Sequence, residues 1–254
     1  IAGVRNRMGD QNGGNTSLKF TNNAVTLADT KITNGTAFSG SFTVAGAYAT
    51  GLAPSISATG NSVTLTESGT TNTLAISDVA GAYVNSSVKT ADGLTIVATG
   101  NKVEVGEKVQ LTGDVAGASI TASGSAIKSL NASGNSVVVK GTVSGSIAAV
   151  TYDKASSALA ANAVVDFSHN SVTLTGAKVS SGSITGGTGL DSAILIDKDS
   201  VYNVTETGKD LASDVINIEG KIDVANSASL DISGFYQKGD STATKYNANL
   251  TTVK

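Results

Sequence analysis

The 254-residue chain contains no cysteine and no tryptophan, and only one proline, one methionine and one histidine. Without cysteine there is no disulfide framework and no thiolate zinc site. With His169 as the sole histidine, any Ser-His-Asp triad would have to use it. Arginine is confined to Arg5 and Arg7, and the net charge is −3. Neutralising a phosphate backbone needs clustered cations, so nucleic acid is excluded as the main partner. No apolar run approaches the ~18–20 residues of a membrane helix, and no membrane-spanning helix is expected. With Ile1 rather than methionine first and no signal peptide, the expectation is a processed mature protein, an excised fragment or an engineered start.

What is abundant is Gly, Ser, Thr, Ala and Val. Small and β-branched residues favour strands and tight turns, while the scarcity of Leu, Glu and Arg disfavours helices. One phrase recurs five times: a hydroxyl residue, a turn residue, Asn, any residue, Val, any residue, then Leu or Val. Its copies are Thr21–Leu27, Thr59–Leu65, Thr99–Val105, Ser133–Val139 and Ser168–Leu174. The invariant asparagines are Asn23, Asn61, Asn101, Asn135 and Asn170, spaced 38, 40, 34 and 35 residues apart. The residue before each is Asn22, Gly60, Gly100, Gly134 or His169, types that tolerate a left-handed backbone, so these five asparagines are assigned to turns. Apolar residues alternate on both sides, as in Ile56 and Ala58 before one turn and Val63 and Leu65 after it, which predicts half-buried strands.

A period of ~36 residues predicts a β-solenoid, a right-handed parallel β-helix. A glycine-containing turn between alternating strands is also a hairpin signal, so antiparallel β-sandwiches are the alternative. Taking ~20 residues per coil and two coils per repeat, the chain would form roughly 12 coils and a rod on the order of 55 Å long. The expected division is a flexible polar tail over residues 1–17, a repeated solenoid over 18–200, and acidic C-terminal β coils ending in a terminal strand over 201–254.

These repeats resemble the passenger domains of bacterial autotransporter (type V secreted) adhesins. The likeness is carried by the five phrases above, by Gly141-Thr142-Val143-Ser144-Gly145-Ser146-Ile147, and by Ile218-Glu219-Gly220-Lys221-Ile222-Asp223-Val224. The resemblance implies a right-handed β-helix, export, and adhesion or aggregation at the cell surface. The translocator barrel of that family has no counterpart in this sequence.

Candidate chemistry is sparse. His169 falls in the turn position and is assigned a backbone role. Gly239-Asp240-Ser241 is a short hydrolase-like string of a kind that low complexity produces by chance. Gly186-Gly187-Thr188-Gly189-Leu190-Asp191 matches the start of a calcium-binding nonapeptide, with Asp197 and Asp199 as additional oxygen ligands for calcium. The same three aspartates could supply the carboxylate pair of a polysaccharide-degrading enzyme. The primary expectation is a non-enzymatic extracellular structural or adhesive surface protein, its partners being copies of itself or glycans and proteins of a host or neighbouring cell. Opposite charge at the two ends, with Arg5 and Arg7 at one and a strand-like segment bearing Tyr246, Leu250 and Val253 at the other, predicts head-to-tail filaments formed by strand addition.

Overall fold

A computed structural model shows an all-β architecture, with no helix among the described residues, wound as a right-handed parallel β-helix. It describes residues 1–7, 17–29, 42–51, 53–69, 71–87, 93–124, 126–153, 159–166, 169–174, 178–179, 184–185, 193–196, 201–202 and 221–224. Among these residues no helix is long and apolar enough to cross a membrane.

Among the described residues four sheets run along the axis, and every strand pairing is parallel between one turn and the next. Sheet 1 stacks Ala2–Arg7, Thr43–Gly51, Asp78–Ser86, Asp114–Ala122, Ile147–Asp153 and Ile184–Thr185. Sheet 2 stacks Ser17–Thr21, Ser55–Thr59, Leu94–Thr99, Ile127–Asn131 and Leu159–Asp166. Sheet 3 stacks Ala24–Ala28, Ser62–Thr66, Lys102–Val105, Ser136–Val139, Ser171–Leu174, Ala193–Ile196 and Lys221–Val224. Sheet 4 stacks Asn72–Leu74, Val109–Leu111, Thr142–Val143, Lys178–Val179 and Val201–Tyr202. A full repeat therefore makes one turn of four strands, not two shorter coils. The ~20-residue coil and the twelve-coil rod of the sequence reading are corrected accordingly. Sheets 1 and 4 lack the Asn phrase, so their strands looked like separate coils when they are two sides of the same one.

The repeat phrase is a corner between sheets 2 and 3, not a hairpin. Asn22, Gly60, Gly100, Gly134 and His169 all have positive φ, between 56° and 67°. One left-handed residue redirects the chain without reversing it, so the flanking strands join different sheets and pair with the turns above and below. Register follows the phrase: Val25, Val63, Val103, Val137 and Val172 are aligned, and all five are buried.

The N-terminal segment is another correction. Ala2–Arg7 is a strand of sheet 1 paired in register with Ala45–Thr50, so these residues are not a flexible tail. Their composition is polar, but Val4 packs against the apolar residues beneath and the neighbouring strand supplies the backbone partners that the segment lacks alone.

Sheet 1 is bent inward. Gly3, Gly46, Gly81 and Gly117 fall at one position of successive strands, and the ladder pairs the residues on either side of them, Ala45 with Ala80 and Ala47 with Ala82. A Cβ added at Gly81 would lie 2.8 Å from the Lys102 nitrogen and 3.0 Å from the Asn101 Cβ, both at the start of sheet 3. Only glycine allows that approach. The glycine column thus meets the corner asparagines across the interior and divides the core into two lobes. One contains Val44, Val63, Leu65, Leu74, Ile76 and their counterparts in other turns. The other contains Ala47, Ala49, Ile56, Ala58, Leu94, Ile96 and theirs.

Candidate functional site

The five turn asparagines form a ladder along the seam between the lobes. Asn23 Nδ2 donates to Asn61 Oδ1 at 2.8 Å, Asn61 Nδ2 to Asn101 Oδ1 at 2.9 Å, Asn101 Nδ2 to Asn135 Oδ1 at 2.9 Å, and Asn135 Nδ2 to Asn170 Oδ1 at 3.2 Å. Each Oδ1 also accepts the backbone N–H of the preceding asparagine, at 2.9–3.1 Å. The second hydrogen of the Asn101 amide goes to the Ala58 carbonyl at 3.0 Å. Both donors and both lone pairs of that amide are thereby used, which is the condition for burying it without a large desolvation cost. Asn61, Asn101, Asn135 and Asn170 are fully buried, so the ladder holds the register and presents nothing to a ligand.

The outer face of sheet 1 is different. Where the sheet bends inward its outside becomes concave. Ala45, Ala80, Ala116 and Ala148 belong to neither lobe yet are almost completely covered. They form the floor of a groove parallel to the axis, continued by Ala2, which is in register with Ala45. One wall is the column Arg5, Tyr48, Tyr83, Ser119 and Thr151, aligned strand by strand. The Tyr48 and Tyr83 rings stack with centroids 4.8 Å apart and planes within 6°. The Arg5 guanidinium lies 5.2 Å from the centre of the Tyr48 ring, within cation–π range. The other wall begins with Thr43, Asp78 and Asp114, also in register. Thr43 Oγ1 donates to Asp78 Oδ2 at 3.5 Å, and the Ser146 N–H donates to Asp114 Oδ1 at 2.8 Å. At the N-terminal end the groove widens into a cleft of about 370 Å³ lined by Ile1, Ala2, Arg5, Phe42, Thr43 and Tyr48.

The wall residues perturb one another. Burial, and then the neighbouring Asp114 carboxylate, push the Asp78 carboxyl above its usual range. Burial first, then Tyr48 and Asp78, raise the Tyr83 phenol. On sheet 3 the Lys140 ammonium donates to Glu104 at 3.2 Å and, with Lys102, holds that carboxyl low; this is an exposed ion-pair cluster of small energetic weight.

Arg5 and Arg7 both lie in the first strand of sheet 1, and the structure brings Arg5 to the tyrosine column. Asp191, Asp197, Asp199, Tyr246, Leu250 and Val253 lie outside the described residues. Among the described residues no group of three or more His, Cys, Asp or Glu could hold a metal ion. His169 occupies the corner position with φ 57°. The groove was missed at the sequence level although a signal existed. Val-Ala-Gly-Ala-Tyr occurs at 44–48 and 79–83, and Val-Ala-Gly-Ala-Ser at 115–119. The chain matches no known protein family, no curated protein and no solved structure.

Proposed function

We propose that this chain is a non-enzymatic, extracellular structural or adhesive rod that presents repetitive side-chain columns to another surface or to copies of itself. The observation that supports it best is the Tyr48–Tyr83 stack with Arg5, held on the outer wall of the axial groove while the interior lobes are filled almost entirely by aliphatic residues. Stacked aromatic side chains left at the surface are a common feature of binding faces. The autotransporter-like phrases of the sequence point the same way. Self-assembly draws on the first turn, where Leu18, Phe20 and Val25 are 6–8 % exposed while their counterparts Ile56, Ala58 and Val63 in the next turn are at 0 %.

Two measurements test the reading. Beads coated with the protein are expected to adhere to cells or glycan-coated surfaces, and light scattering is expected to show a mass that rises with concentration. Beads that stay free, together with a constant monomer mass, would overturn it.

The alternative, a polysaccharide-degrading β-helix enzyme, has one observation in its favour. Asp78 and Asp114 are register neighbours beside Tyr83, and burial together with the Asp114 carboxylate pushes the Asp78 carboxyl above its usual range; a carboxyl pair that includes a raised acid is what a glycosidase needs. Release of reducing ends from a polysaccharide by the parent but not by Asp78→Asn would favour the enzyme.

A further inference from the structure

The tyrosine column is incomplete. Its first two rings are supplied by the Val-Ala-Gly-Ala-Tyr copies, but the third copy carries Ser119 in the position in register with Tyr48 and Tyr83. One face of Tyr83 is covered by Tyr48. On the other side the next side chain in the column is a partly exposed serine, too short to cover a phenol ring. The result is a gap one ring thick in the wall, bounded on the axis by Tyr83 and at its base by Ser119. Its floor is Ala80 and Ala116, and Asp78 and Asp114 stand on the opposite wall.

We propose that this gap is a binding site for a pyranose ring of a neutral oligosaccharide whose chain leaves the stack sideways, across the groove. A sugar ring offers an apolar C–H face that packs on the open face of Tyr83 and continues the stack, and its rim of hydroxyls can donate to Asp78 and Asp114. Aromatic surface combined with a few convergent polar groups is the usual composition of a small-ligand site. Two carboxylates facing the gap, with no cation of the described residues paired to them, select against an acidic glycan by repulsion. The inference deepens the adhesive reading by giving it a ligand class.

The absence of tryptophan leaves tyrosine fluorescence free to report on the site. Cellohexaose, maltohexaose and hexagalacturonate would be titrated into the full chain and followed by tyrosine fluorescence and calorimetry. At least one neutral hexamer is expected to saturate the signal, and hexagalacturonate is not. Ser119→Tyr, which fills the gap with a third ring, is expected to weaken binding at least tenfold without lowering Tm, whereas Ser119→Ala binds like the parent. Should Ser119→Tyr fold poorly, Tyr83→Ala is expected to show the same loss. Failure of both neutral hexamers to bind, tighter binding of hexagalacturonate, or unchanged affinity in a folded Ser119→Tyr or Tyr83→Ala protein overturns the site. Bead adhesion of the parent separates the two claims: adhesion without hexamer binding removes this site and leaves the adhesive rod standing.

Discussion

The two lobes of the interior are built from the same turns yet packed on different plans. The lobe enclosed by sheets 3 and 4 and the first half of sheet 1 is lined almost entirely by Val, Leu and Ile, with Ala149 as its one alanine. The lobe under sheet 2 alternates large and small, setting Ile56, Ile96 and Leu130 against Ala47, Ala58, Ala82, Ala98 and Ala118. Uniform large-aliphatic columns fill space by repetition, whereas a mixed lobe fills it by complementarity between unlike neighbours. What separates the plans is the seam of glycine backbone on one side and asparagine amides on the other. The comparison teaches that a solenoid of this width is two narrow cores sharing one polar partition.

The partition can be attacked directly. Gly81→Val places a branched side chain where a single Cβ already lies 2.6 Å from the Gly117 carbonyl oxygen and 2.8 Å from the Lys102 nitrogen. The lobes must move apart, at a cost expected to exceed about 4 kcal/mol. Circular dichroism should show loss of cooperative unfolding or of the fold itself. A variant that melts within a few degrees of the parent would mean the partition is plastic.

Asn101→Ala leaves the glycine side intact and cuts the amide side. The Asn61 N–H and Nδ2 lose their shared acceptor, and the Asn135 Oδ1 loses the amide that donates to it. At about 1–3 kcal/mol for each buried group left unpaired, a loss of about 3 kcal/mol in denaturant unfolding is expected. Asn23→Ala, at the partly exposed end of the ladder, is expected to cost under about 1 kcal/mol. Equal losses at the two sites would show that the ladder contributes nothing beyond its individual corners.

The subtlest test compares the lobes themselves. Val105→Ala opens a space in the uniform lobe and is expected to cost about 2 kcal/mol. Ala98→Val adds the same two methyl groups to the mixed lobe and is expected to cost about 1–2 kcal/mol through strain. Were Ala98→Val stabilising by thermal melting, the mixed lobe would be underfilled and the contrast between the lobes would disappear.

The parts legible in the sequence were those in which a backbone or hydrogen-bond requirement dictates one residue type. A left-handed corner demands Gly, Asn or His, and positions 22, 60, 100, 134 and 169 displayed the requirement openly. Strand alternation around Val63 and Val103 was equally visible. The size of the turn was not, because Asn72–Leu74 and Val109–Leu111 are too short to show a period. Nor was the groove. In Val-Ala-Gly-Ala the chain is covered on both faces, so alternation vanishes, and a glycine selected for close approach looks the same in sequence as one selected for a turn. Ala2–Arg7 carries no core pattern of its own beyond Val4; its strand is imposed by the neighbour on which it docks.

The asparagine ladder has a direction. In all four bonds from Asn23 to Asn170 the donating Nδ2 points toward the following turn and the accepting Oδ1 toward the preceding one, so the amide dipoles add instead of cancelling and each bond polarises the next. A turn that has already formed leaves two N–H donors waiting for the oxygen that the succeeding turn brings. Growth from the N-terminal side therefore differs chemically from growth in the opposite sense: one sequence of events delivers an acceptor to oriented donors, the other delivers donors to an oriented acceptor. In an array whose stability resides in contacts between adjacent repeats, this asymmetry makes the molecule a vectorial template. It can copy its register onto arriving chain in a defined order.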